Sequence, residues 1–156
     1  MNKDKSLRGK LKFAELTNTG MVREHNEDAI GSNVDMGLMV LADGMGGYNA
    51  GEVASGIAVQ TITDLAAEGA TREQRHDVDP HTGLMRQTIV LRDAVARANK
   101  IIFQTAQSQT HCEGMGTTLV AAMFYDNRIS IAHVGDSRAY RLRDERFEQL
   151  TMDRSL

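Results

Sequence analysis

The chain has 156 residues, 41% of them hydrophobic and 25% charged, with a net charge of −3. That length suits one domain with a proper core, and the mild acidity, without a dense Lys/Arg cluster, argues against a nucleic-acid surface. No apolar run approaches the roughly 18 residues that cross a bilayer, and no apolar stretch follows the polar start "MNKDKSLRGK" to read as a secretory signal, so neither a membrane nor an export role is expected.

Residues 1–10 read as a solvated N-terminal arm ahead of a single domain over 11–156. "LKFAELT" (11–17) alternates as a strand does, up to a turn signal at Asn18–Gly20. "AIGSN" (29–33) predicts a second short strand and "GLMVLAD" (37–43) a third. The unbroken apolar stretch Leu38–Ala42 predicts that the third is covered on both faces. Then the period changes. Val53, Ile57, Thr61 and Leu65, with Ala54, Ala58 and Ile62 beside them, form a helical stripe, with Asn49 as cap and Gly69 as stop. Residues 70–83 hold the only proline and read as a loop. A second helix carries Leu84, Leu91, Val95, Ala98 and Ile102 on one side and ends at polar "QSQTHCEG". From Gly116 strands return: "TTLVAAMFY" and "RISIAHVG" flank Asp126-Asn127, and "SRAYRLR" and "RFEQLT" flank Asp144-Glu145, both suited to tight hairpins. Strands, two helices and a meander make an α+β layout.

Four stretches place acids beside glycine or at strand mouths: "NED" (26–28), "DGMGG" (43–47), "EGMGTT" (113–118) and "HVGDSRAY" (133–140). Each alone has a plain reading, as a turn or a solvated pair. A helix instead of a return strand follows Asp43-Gly44, which argues against a hairpin there. Taken together the acids suit hard divalent cations, which take carboxylate, carbonyl and water oxygens. One Asp at a strand tip has two oxygens and can bridge two ions, and a glycine after it leaves a carbonyl free to approach. Such a pair lowers the pKa of a shared water and makes it a nucleophile toward phosphorus. Arg23, four residues before Glu27, has a planar fork that suits a phosphate, and it reads equally as a surface cation.

Other chemistries lack their residues. GxxxxGK[ST], GxSxG and HExxH are absent, and His111-Cys112 has no further cysteine to build a zinc site. The lone Cys112 fits a reducing cytoplasm. His25, His76 and His81 lie in polar stretches and read as solvated, His133 as a packed strand residue. Met36, Met39, Met115 and Met123 read as core filler.

In their order, "TNTGMVREHNEDA" (17–29), "LADGMGGYNAGEVAS" (41–55), "GMGTTLVAA" (114–122), "IAHVGDSRAYRL" (131–142) and "LTMDRSL" (150–156) resemble the metal-dependent protein phosphatases (PPM), the type 2C serine/threonine family of hydrolases, especially its bacterial members. The resemblance implies a four-layer α-β-β-α sandwich of two antiparallel sheets with helices outside. It implies a cytoplasmic signalling enzyme that acts on phosphorylated Ser/Thr proteins, opposes a Ser/Thr kinase, and uses Mn2+ or Mg2+. Asp43 would bridge two ions and Gly44 would offer its carbonyl to one. Glu27 and Asp28 would hold or orient metal-borne waters. Asp136 would hold a third, looser ion, and Arg23 would grip the substrate phosphate. Thr117 and Thr118 would lend support close by.

The chain departs from the family pattern in three ways. Met45 stands where some relatives place a histidine, and Asp153-Arg154-Ser155 where Asp-His-Ser is usual. Family domains also continue into a Ser-Asp-Gly and a final Asp-Asn segment, which supply two more aspartates. Leu156 ends this sequence before either, so the expectation is a partial domain, incomplete at its C-terminus, with poor metal binding and slow or absent turnover. Two functions follow: a phosphatase, or a non-catalytic, phosphoprotein-binding or regulatory remnant of one.

Overall fold

A computed structural model describes residues 7, 9–47, 50–71 and 78–154. The strands are β1 (Asp28–Asn33), β2 (Leu38–Met45), β3 (Gly116–Thr117), β4 (Leu119–Tyr125), β5 (Arg128–Val134), β6 (Tyr140–Arg143) and β7 (Arg146–Gln149); the helices are α1 (Ala50–Thr71) and α2 (Arg86–Ser108). One antiparallel sheet has the order β1-β2-β4-β5, with β3 continuing the pairing of β2 at its end. The second sheet is the β6-β7 hairpin. The α+β class and the antiparallel sheets agree with the expectation from sequence.

Side-chain alternation decides how the large sheet is covered. Leu38, Val40 and Ala42 of β2 and Leu119, Ala121 and Met123 of β4 are buried under the helices. α1 lies over β1 and β2, while α2 packs on α1 and β5. Buried Ser130 of β5 is satisfied there, sharing hydrogen bonds with Thr88 of α2 (2.7 Å) and the Tyr125 hydroxyl (2.8 Å). The other β2 face carries Met39, Leu41, Asp43 and Met45, and Leu41 is 42% exposed. The expectation of cover on both faces is therefore wrong for the described residues. An unbroken apolar run marks apolar side chains on both faces, not a neighbour on both.

Further corrections have similar causes. Among the described residues "LKFAELT" forms no strand; Phe13 instead sets its ring 6.4 Å from that of Phe124, and Leu16 stands in solvent. Alternation is local, whereas a strand needs a partner edge along its length, and this segment makes only a single bridge, at Leu11. α1 does not stop at Gly69 but runs on to Thr71. A Cβ at Gly69 would meet Val90 at 3.0 Å, so this glycine lets α1 and α2 approach closely. Leu84 precedes α2, in a turn where the Asp79 carboxylate accepts from the His81 and Thr82 amides. The buried line of α1 is Ala50, Ala54, Ala58, Ile62 and Ala66; Val53 is exposed. Asn49 and His76 lie outside the described residues.

Met115 and Met123 fill the core and Met36 packs against it, while Met39 faces away on the open side of β2. Both tight links form as expected: β4 and β5 turn at Asp126 (φ 48°), and β6 and β7 at Asp144 and Glu145 (φ 47° and 62°). No helix among the described residues is long and apolar enough to cross a membrane. Ile62, fully buried in the layer between α1 and the sheet, sets the scale of the core. Ile62→Ala lowers stability by about 2–5 kcal/mol, read by chemical denaturation.

Candidate metal centre

β2 delivers Asp43. With Ala42 buried beneath the helices, the next side chain must point to the open face. Across the antiparallel register Asp28 lies directly opposite it, so two carboxylates share one end of that face. The acids act on one another. Burial raises the Asp43 pKa above the ordinary carboxylate value; the charge of facing Asp28 and a hydrogen bond to it raise it further, then the charges of Asp136 and Glu27. No Lys or Arg among the described residues forms an ion pair with any of these acids. No three of them close on one point either, among the described residues. They share a field without forming a finished cage.

The backbone fixes where each acid stands. The Gly44 N–H donates to the Glu27 carbonyl (3.1 Å), and the Ser55 hydroxyl of α1 donates to the same carbonyl (2.7 Å). The Glu27 carboxylate lies against Gly51 in the first turn of α1, where a Cβ would come within 2.6 Å of Oε1. A Cβ on Gly44 would run into the Gly51 carbonyl oxygen and come within 2.6 Å of the Glu27 carbonyl oxygen. The glycines around Asp43 thus let a strand end, a helix start and the Glu27 loop meet backbone to backbone. Asp136 comes from the turn after β5, which Thr118 links to the Asp43 backbone.

A strap of residues 150–154 holds that turn from the other side. The Leu150 and Arg154 amides donate to the Ala139 and Gly135 carbonyls, each at 2.8 Å. Half-buried His133 donates from Nε2 to the Met152 carbonyl (2.8 Å). The Arg138 guanidinium grips Asp153 with Nε at 2.9 Å and Nη2 at 2.6 Å, and this hydrogen-bonding lowers the Asp153 pKa. A carboxylate with a depressed folded pKa gives stability above its unfolded value and loses it as pH falls through the folded one. The strap accordingly holds at neutral pH and loosens below the ordinary carboxylate range. Asp153→Asn speeds Arg154 amide exchange already at pH 7, as NMR would read.

The structure thus brings together Glu27, Asp28, Asp43 and Asp136, with Gly44 next to Asp43 in β2. The Arg23 side chain is exposed and makes no hydrogen bond or ion pair with these acids or with another described residue. Sequence reasoning missed Ser55 and Gly51, whose roles rest on contacts to a carbonyl and a carboxylate more than twenty positions away. It also missed the Arg138–Asp153 grip. The donor set fits the implied ions: carboxylate oxygens without a cationic partner are what Mn2+ or Mg2+ takes.

Comparison with known proteins gives one answer. Residues 21–155 match the family described as Protein phosphatase 2C. The serine/threonine phosphatase stp of Listeria welshimeri is 39% identical over 143 residues, 90% of this chain and 53% of the relative. The serine/threonine protein phosphatase PstP of Mycobacterium tuberculosis is 38% identical over 144 residues, 92% of this chain and 25% of the relative. The chain spans about half or less of the length of these two curated relatives. A crystal structure of the PstP catalytic domain with two manganese ions superposes with a TM-score of 0.71 at 38% identity, over 86% of this chain and 52% of that one. A bacterial serine phosphatase bearing an R161E mutation gives 0.73 at 36%, over 90% and 60%. With most of its length matched in sequence and in fold, this chain belongs to the protein phosphatase 2C family, alongside bacterial serine/threonine phosphatases.

Proposed function

We propose that this chain serves as a serine/threonine phosphoprotein phosphatase, hydrolysing phosphomonoesters at a dinuclear Mn2+ or Mg2+ site and opposing a Ser/Thr kinase in the cytoplasm. The observation that carries the reading is Asp43 itself, set near the end of β2 directly opposite Asp28, with its pKa raised by burial first and then by Asp28, Asp136 and Glu27. Carboxylates crowded without a cation are at their best when a divalent ion joins them.

In this reading Asp43 and the Gly44 carbonyl would hold the two ions, and Glu27 and Asp28 would hold the surrounding waters in place. Asp136 takes a third ion. A bound metal pair supplies positive charge and a water acidic enough to react near neutral pH. The exposed Arg23 guanidinium binds two phosphate oxygens side by side and orients the ester for attack. Because the described carboxylates do not close on one point, these residues alone hold the ions weakly and turn over slowly.

Hydrolysis of a phosphothreonine peptide with Mn2+ tests the reading. Slow phosphate release that a chelator abolishes is expected. Arg23→Ala lowers kcat/KM about ten- to a hundredfold, mainly through KM, because one charge-assisted contact is lost. Release that persists in chelator contradicts the proposal. Manganese uptake and peptide binding without any release favour the non-catalytic, phosphoprotein-binding alternative.

A further inference from the structure

We propose that Thr118 is a positioning residue whose hydroxyl ties the strand carrying Asp43 to the turn carrying Asp136, and so sets how the two carboxylates face each other. The inference rests on the cation-site reading above and adds the residue that holds the site's two halves in register. The Asp43 N–H donates to Thr118 Oγ1 at 3.2 Å, and the Thr118 N–H donates to the Asp43 carbonyl at 2.9 Å. The same Oγ1 shares a 2.7 Å hydrogen bond with Ser137 Oγ, one residue beyond Asp136. On the near side of Asp136, Gly135 takes φ 89°, and a Cβ there would lie 2.9 Å from the Thr118 methyl.

One side chain therefore bonds the backbone of Asp43 and the residue after Asp136, and stands where a side chain on the residue before Asp136 would have to go. The hydroxyl has the right inventory: one lone pair accepts from Asp43, and its proton or its other lone pair serves the Ser137 hydroxyl. β-branching keeps χ1 stiff, so the tie fixes a direction as well as a distance. Thr117 differs, since its hydroxyl donates to the Asp43 carbonyl (3.0 Å) and the Thr118 carbonyl and has no hydrogen bond to the turn.

Two readouts on the whole chain test this: amide exchange at Gly135–Ser137 without metal, and Mn2+ affinity by titration. Thr118→Val keeps the shape and loses the hydroxyl, Thr118→Ser keeps the hydroxyl, and Ser137→Ala removes the partner. Thr118→Val and Ser137→Ala should each speed exchange in the turn about tenfold and weaken Mn2+ binding about tenfold, as loss of one hydrogen bond allows. Thr118→Ser should restore both to within about twofold, and the double variant should be no worse than Thr118→Val alone. Unchanged exchange, or faster exchange with Mn2+ affinity intact, overturns the proposal. If the wild-type chain takes up no Mn2+, the cation-site reading fails, and exchange in Thr118→Val and Ser137→Ala alone decides whether Thr118 fixes the turn.

Discussion

Asp43→Asn abolishes manganese-dependent hydrolysis, weakens manganese uptake by about a hundredfold or more, and leaves the metal-free fold slightly more stable than the wild type. The two halves of this result have one cause. Asp43 stands opposite Asp28 and within the fields of Asp136 and Glu27, and like charges facing across a strand pair are destabilising. Asparagine keeps the shape and drops the charge. It relieves the empty site and disables the occupied one. The pH dependence has a definite sign. A carboxyl whose folded pKa is raised favours the fold while protonated, so metal-free stability falls as pH rises above the ordinary carboxylate value through the folded one. Asp43→Asn flattens that fall, and saturating manganese removes it. Denaturation against pH, with and without the ion, reads all three outcomes.

Gly44→Ala is a small change with a large expected cost. The added methyl would meet the Gly51 carbonyl oxygen and the Glu27 carbonyl oxygen, both backbone atoms, so no rotamer change can make room. α1 must lift from the end of β2, breaking the Gly44–Glu27 hydrogen bond and pulling Ser55 away from the same carbonyl. A cost of about 3 kcal/mol or more is expected, a fall in Tm of roughly 6–12 °C for a chain of this size. Gly47→Ala is the control: a Cβ there meets nothing within 4 Å, and its Tm stays within about 2 °C of wild type.

What could be read from the sequence was whatever depends on neighbours along the chain. β2 with Asp43 at its end, both tight hairpins and the second helix all follow from period and turn chemistry over a few residues. The acids could be listed because glycine flanks them, and their grouping came through resemblance to a family. What could not be read depends on distant partners. The segment 11–17 alternates like a strand but pairs only through a single bridge at Leu11. Gly69 resembles a helix stop and is a contact point for Val90. The apolar run in β2 gives no sign of which face a helix will take. Likewise the sequence holds Thr118, Ser137, Arg138 and Asp153 without indicating that they fasten one turn. Those hydrogen bonds join residues 15 to 75 positions apart.

The most direct measurement is an NMR titration of the whole chain with small amounts of Mn2+, whose unpaired electrons broaden nearby amide signals. The amides of Asp28, Asp43, Gly44 and Asp136 should broaden first and together, and Asp43→Asn should abolish the effect. Sharp signals at those positions while others broaden, or an identical pattern in Asp43→Asn, would contradict the claim that Asp43 centres a cation site.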